Sequence, residues 1–283
     1  MRTLLLLFLL SSSVCFGQQL AQYSQWSWHQ FAQNPAHAGI KQCIDIHSLY
    51  RMQWVGFEGA PRSGFLTLSV PLSSKRRKFL SARHGLGLKF ETDRLSLGLY
   101  AGVVQTGYDA SSITTGMPDP ILENQGSFLA PDASFGAWYN TESFYAGLVM
   151  QNLITSRWKN ISDDAKYQFH TLINGGYLLP LDDNWALLPT LQMKFAVRGK
   201  TAIDIATHFD YRNQFSLGLG FRNSDALMMF AQVKIKDQFS IGYSFGYTIS
   251  EIQLGAKNTH EVSLRFTTCK PDRRSKTGCS LFD

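Results

Sequence analysis

From about residue 42 onward the chain alternates, one apolar position with one small or polar position. In "FSLGLGFR", Phe215, Leu217, Leu219 and Phe221 fall on one face, and Ser216, Gly218, Gly220 and Arg222 on the other. In "FSIGYSFGYT", Phe239 to Tyr247 alternate in the same way with Ser240 to Thr248. "GLGLKF", "LSLGLYAGVV" and "EVSLRF" repeat the pattern. Side chains at i, i+2 and i+4 line one face of a strand, so each stretch predicts a β-strand with an apolar face and a small or polar one. Thirteen such segments are predicted, over 42–51, 63–71, 84–92, 94–107, 132–140, 143–151, 167–179, 184–197, 201–211, 214–222, 226–236, 237–248 and 259–268. Short turn-forming stretches such as 140–142, 212–213 and 223–225 separate many of them. Helical periodicity is essentially absent.

The two faces decide between all-β architectures. A soluble sandwich buries its apolar face and charges the other. Here the second face is rich in Gly, Ser, Thr and Ala, while the apolar face ends in aromatics such as Phe221, Tyr247 and Phe266. That combination predicts an all-β, up-and-down antiparallel transmembrane β-barrel of about 12–14 strands over residues 42–268, with apolar residues toward lipid and small ones toward the lumen. Bacterial single-chain barrels carry even strand numbers. Thirteen segments therefore imply one miscount, placed between 108 and 131.

Composition supports this and narrows the rest. Charged residues are 17% and aromatics 13%, which suits a β-protein with much apolar surface. The net charge of +6 is dispersed and comes with no recognition helix or stacking platform, so nucleic acid is not an expected partner. A lone basic run, Lys75-Arg76-Arg77-Lys78, reads as a solvated turn, with anionic lipid or a partner as the alternative. Residues 1–17 read as a cleaved signal peptide, with Arg2 ahead of an apolar run from Leu4 to Leu10. Cys15 also admits a lipoprotein reading, though Ser13-Val14 before it is a poor lipobox. Of the remaining cysteines, Cys43, Cys269 and Cys279, one pair is expected in an oxidising compartment, and Cys269 with Cys279 would close a short tail loop. Residues 269–283 form a polar tail.

No catalytic constellation, metal site or cofactor pattern emerges. Asp204, Ala206 and His208 share one strand face, but no nucleophile is designated nearby, so they read as lumenal polar residues. Asp182-Asp183 read as turn residues, and "GLGLG" lacks the following helix of a phosphate loop.

Residues 18–41 precede the strands as an aromatic lead-in. "QYSQWSWHQFAQNPAHAG" carries Trp26, Trp28 and Phe31, then Asn34, Pro35, Ala36, Ala38 and Gly39. "RMQWVGFEGAPRS" follows with Arg51, Gln53, Trp54, Gly56, Gly59, Ala60 and Pro61, and "NTHEVSLRF" carries His260 and Glu261. Together these stretches resemble the PorP/SprF family of type IX secretion system outer-membrane proteins. The stretch between Asp93 and Asp119 is shorter than the family pattern, and Asn258-Thr259 stands where Gly-Ser is more usual.

The resemblance implies a non-enzymatic barrel in the outer membrane that supports secretion of cargo adhesins and, in some bacteria, gliding motility. Implied partners are outer-membrane lipid, scaffold lipoproteins, a peptidoglycan-binding periplasmic protein, and the C-terminal domain of a large secreted adhesin. A porin-like channel for small solutes is the competing reading. The motif residues Trp26, Trp28, Phe31, Asn34, Pro35, Ala36, Gly39, Arg51, Gln53, Trp54, Gly56, His260 and Glu261 are expected to contact a partner or to plug the lumen. The lead-in is expected to pack against the inner wall or the periplasmic rim, with Asn34-Pro35 turning the chain into a strand near Ile40.

Overall fold

The computed structural model describes residues 22–38, 43–57, 59–70, 85–90, 93–108, 126–154, 168–196, 200–223, 225–236, 238–250 and 258–268. The predicted signal peptide, Gly39, the basic run at 75–78 and the tail from 269 lie outside these residues. Cys43, which a Cys269–Cys279 pair would leave as the odd thiol, is itself disulfide-bonded.

All thirteen predicted segments are strands of one antiparallel sheet: β1 (Asp45–Val55), β2 (Arg62–Ser69), β3 (Gly85–Phe90), β4 (Asp93–Tyr108), β5 (Gly126–Asn140), β6 (Phe144–Gln151), β7 (His170–Tyr177), β9 (Trp185–Ala196), β10 (Ala202–Tyr211), β11 (Phe215–Arg222), β12 (Ala226–Ile235), β13 (Phe239–Thr248) and β14 (Asn258–Thr267). A two-residue strand, β8 (Leu179–Pro180), pairs with β9 where a plain turn is expected. No additional strand lies among the described residues between 108 and 131, where β5 begins at Gly126 rather than at residue 132 and pairs with β4 down to Tyr108. Neighbours in the sheet are neighbours in sequence, and β1 joins β14 in register from Asp45↔Thr267 to Val55↔Asn258. The first and last strands are thereby zipped together.

The path ends at β2 and β3, which run in the same direction, so the described strands do not close into a ring. Residues 71–84, which join them, lie outside the described residues.

The two faces separate as the alternation predicts. Leu217, Leu219, Met229, Ile241 and Leu264 point outward and are exposed, while Ser216, Met228, Ser240 and Ser263 on the same strands are buried. No described helix is long and apolar enough to cross a membrane. The strands do the crossing, since antiparallel pairing satisfies backbone N–H and C=O groups between neighbouring strands, while the outer edges of β2 and β3 lack a described partner.

The sheet has two unlike ends. Connections at 91–92, 141–143, 212–214 and 236–238 are short, and the start of β1 lies at this end. The other end carries 109–125, 152–169 and 249–257. Short turns mark the periplasmic end of bacterial barrels and longer loops the outer end. At the short end, the Asp182 carboxylate accepts from the amides of Asn184 (2.7 Å) and Trp185 (2.8 Å), a turn role as expected.

Replacing an outward leucine with a cation should be costly. For Leu219→Arg we expect a loss of about 2–4 kcal/mol, the range for a cation near the bilayer midplane. Equilibrium urea unfolding in phosphatidylcholine vesicles measures this, and a loss below about 0.5 kcal/mol would be inconsistent with a lipid-facing Leu219.

Candidate functional site

The lead-in threads the space the sheet encloses. Residues 24–28 form a turn in which Trp28 and His29 donate backbone bonds to Gln25 and Trp26. One turn of α-helix follows at Gln30–Gln33, then a 3-10 turn at Pro35–His37. Proline suits that opening position because its fixed φ matches the turn and its absent N–H is not required there. The Asn34 side chain caps it, accepting from the Ala36 amide at 2.9 Å. These turns replace the simple Asn34-Pro35 entry into a strand near Ile40, and β1 starts later, at Asp45.

At the outer-end side of the lumen the segment is held by a carboxylate. Glu261 on β14 is fully buried. It accepts from the Ser24 amide (2.8 and 2.9 Å), from the Gln25 amide (3.1 Å) and from the Ser244 hydroxyl (3.2 Å). Arg51 on β1 lies 3.3 Å away as its counter-ion, and its guanidinium also donates to the Gln22 carbonyl. The Gln25 side chain donates to the Glu261 carbonyl (3.1 Å) and accepts from Ser263 (2.6 Å). A buried carboxylate needs such donors, because an unpaired buried charge is far costlier than a paired one.

The middle of the segment is held by rings. Trp28 packs on His208 of β10 and edge-on to Phe230 of β12, with centroids 5.1 and 5.9 Å apart. The Ser27 hydroxyl meets His208 Nε2 at 2.9 Å. On the opposite side, His29 and His47 of β1 share one hydrogen bond between their Nδ1 atoms at 2.9 Å. His47 lies 3.1 Å from Asp45, which takes a bidentate pair of bonds from Arg265 at 2.9 Å each. Burial, then the neighbouring His47 and Arg265, hold the His29 pKa well below 6.5 despite Asp45.

Toward the periplasmic end, glycines make the fit. Gly98 of β4 pairs with Gly136 of β5, and Gly147 lies on the adjoining β6. A Cβ at Gly98 would overlap the Pro35 carbonyl and the Ala36 amide, and one at Gly136 would overlap the Asn34 side chain. Only glycines leave room for the Asn-Pro-Ala turn against the wall. Asn34 then donates to the Ala137 carbonyl at 3.0 Å, and His37 sits edge-on to Trp138, which stacks on Tyr145. Glutamines complete the fit: Gln30 to Tyr145 (3.3 Å) and Asn174 (3.1 Å), and Gln33 to Gln192 (2.5 Å) and Gln151 (3.3 Å).

The structure thus sorts the motif residues. Trp26, Trp28, Phe31, Asn34, Pro35, Ala36, Arg51 and Glu261 converge in the plug and its sockets. Gln53, Trp54 and Gly56 build the β1–β2 turn instead: Gln53 donates to the Pro61 carbonyl, Trp54 has φ +53° at a register shift, and Gly56 has φ +100°. His260 does not reach the plug. It lies on the outer face, 2.7 Å from the Tyr243 hydroxyl, because neighbouring strand residues alternate faces and Glu261 points inward. Asp204 shares the inner face with His208 as predicted, yet its carboxylate is taken by Arg222 through two 2.7 Å bonds. Missing from the sequence reading are Gln25, Ser27, Gln30 and Gln33, whose signal was the glutamine-rich character of the segment itself. Beside the plug a cavity of about 310 Å³ remains, lined by Gln33, Asp132, Gln151, Asn152, Gln192 and Lys194 among others.

Among the described residues no group of three or more His, Cys, Asp or Glu side chains could hold a metal ion. The family model described as type IX secretion system membrane protein PorP/SprF matches residues 15–94 and 89–266. No curated protein matches the chain. Among solved structures, the β domain of the Bordetella autotransporter BrkA is 12% identical with TM-score 0.44, over 79% of this chain and 98% of that one. A Pseudomonas aeruginosa FadL homologue is 10% identical with TM-score 0.44, over 89% and 95%. The KdgM porin is 8% identical with TM-score 0.37, over 78% and 98%.

Two measurements test the plug. Glu261→Gln leaves Arg51 without its counter-ion, a change that costs about 3 kcal/mol or more in buried pairs. Hydrogen exchange at the Ser24 and Gln25 amides should then quicken by roughly a hundredfold while strand amides keep their protection; unchanged exchange would count against the latch. Released His29 regains its ordinary affinity for protons, so the released form protonates first. Docking is therefore at full strength above pH 6.5 and weakens as pH falls below it. Acrylamide quenching of tryptophan fluorescence should rise on acidification below that pH, and His29→Gln should flatten the profile.

Proposed function

The chain belongs to the PorP/SprF family of type IX secretion system membrane proteins, and we propose that it is a plugged outer-membrane platform that works by binding proteins. Its place is the outer membrane, as a component of that secretion system. The observation that carries the platform reading is the lumen occupied by the chain's own N-terminal segment, latched by Glu261 near one end and seated on Gly98 and Gly136 near the other. A solute pore needs a continuous aqueous path, whereas residues 24–37 take up the interior with aromatics and glutamines in bonded positions.

Binding rather than catalysis is supported by the surroundings of His208. Its Nε2 meets Ser27, but the nearby Asp204 is committed to Arg222, so the arrangement lacks the carboxylate that orients a catalytic imidazole. The chemistry instead fixes the plug. We assign the partners by family membership: scaffold lipoproteins or a peptidoglycan-binding protein at the periplasmic rim, and the C-terminal domain of a large secreted adhesin as cargo. A role in gliding motility would follow from carrying such an adhesin.

Planar-bilayer recording separates this reading from a porin. The intact protein should show no large steady conductance, and a variant lacking residues 22–38 should open one. Large solute-permeable channels in the intact protein would favour the porin instead. In cells, crosslinking followed by pull-down should recover scaffold lipoproteins or the adhesin, and recovery of neither would remove the partner assignment.

A further inference from the structure

His260 has no part in the plug, and its surroundings on the outer face suggest another use. It pairs with Met52 of β1, and Met52 pairs with Arg62 of β2, so the three form one outward row across three strands. The next row toward the periplasmic end reads Tyr243, Val262, Tyr50 and Gly64. Two tyrosines, 46% exposed at Tyr50 and 42% at Tyr243, thus flank an apolar floor of Met52 and Val262, with a guanidinium and an imidazole above it. Strand spacing of about 4.8 Å puts the His260 and Arg62 backbones about 10 Å apart, which side chains of their length can bridge around one tetrahedral anion.

Three features make the row unusual for a lipid-facing wall. The outward positions of β13, β12 and β11 carry only Phe, Leu, Met, Ala, Val, Ile and Tyr, so charge is absent from the surface on that side. Arg62 is exposed, and none of the ion pairs among the described residues includes it. The row lies one outward position from the end of β14, toward the outer end of the strands. A bare cation at the edge of hydrocarbon is stable when its head reaches anionic headgroups. The 2.7 Å contact adds a directional donor, because a Tyr243 hydroxyl donating to Nδ1 leaves the proton on Nε2, turned away from the pair.

We propose that Arg62 and His260, with Tyr243 orienting the imidazole, form a docking site for the phosphate headgroup of an outer-leaflet lipid. The guanidinium fork matches two phosphate oxygens and the imidazole N–H a third. The apolar floor takes the start of the acyl chains. Such a lipid would sit against β1, β2 and β14, beside the β1–β14 seam.

Native mass spectrometry of the full-length mature protein in detergent tests this, with bis-phosphorylated lipid A and its dephosphorylated form as probes. The phosphorylated lipid should be retained about tenfold better, consistent with one or two charge-assisted contacts. Arg62→Ala with His260→Ala should abolish that preference, Arg62→Lys should keep part of it, and Tyr243→Phe should reduce it. Heat-modifiable mobility on gels checks that each variant is folded, and Arg62→Lys supplies the comparison should the double variant fail to fold. Equal retention of the two lipids, or a preference that survives in the folded double variant, would overturn the proposal. So would complete displacement by inorganic phosphate, which would mark a free-anion site instead.

Discussion

Hydrocarbon offers no partner for a backbone N–H or C=O, and the rest of this structure follows from that constraint. It forces the strands into one antiparallel sheet with the first strand zipped to the last. It also fixes the division of labour between the faces. Side chains such as Leu217, Leu219 and Met229 go outward at no cost, and buried polar residues such as Glu261 and Asp204 line the interior. An interior lined by Glu261, Asp45, Arg265, Asp204 and Arg222 then has to neutralise itself. It does so by cross-strand ion pairs and by drawing in the chain's own N-terminal amides.

The plug serves as a polar core in a molecule whose apolar residues are spent on lipid. In a soluble domain Trp26 and Phe31 would join a continuous hydrophobic interior. Here they are buried among hydrogen-bonded glutamines and histidines, and the described apolar clusters are small: Trp138, Tyr145 and Leu188 with Ala36, and Met228 and Phe230 with Trp28. Specific polar contacts therefore carry the register of the segment. This is the setting in which buried charges act mainly as positional devices, since many mutually exclusive packings of small side chains would otherwise be close in energy.

Much of the wall was legible from period-two alternation because a membrane strand obeys a single rule along its whole length. All thirteen predicted segments are strands, with errors confined to ends such as those of β1 and β5. Three aromatics and Asn34-Pro35 ahead of the first strand marked the lead-in as a segment that needs burial, and left open whether it meets a partner, the rim or the lumen. The plug's geometry was not legible, because contacts such as Ser24 with Glu261 join residues 237 positions apart. His260 and Glu261 illustrate the limit. Adjacent in one motif, they were read together, yet the pleat sends one to lipid and the other to the plug. Lumenal glycines fit the small-residue alternation of a barrel wall, yet Gly98 and Gly136 mark where another segment touches that wall.

The distance between the latch and its carboxylate bears on how the molecule is born. Ser24 and Gln25 emerge among the first residues described, while Glu261 belongs to the last strand. Contacts so remote in sequence form late, after the loop between them has been closed. Until those contacts form, Ser24 and Gln25 lack the carboxylate that holds them. The pairing of β14 with β1 and the Glu261 contact come together, because Glu261 and its counter-ion Arg51 sit opposite each other in that pairing. The N-terminal segment thus reaches its full set of contacts only when the final strand is in place.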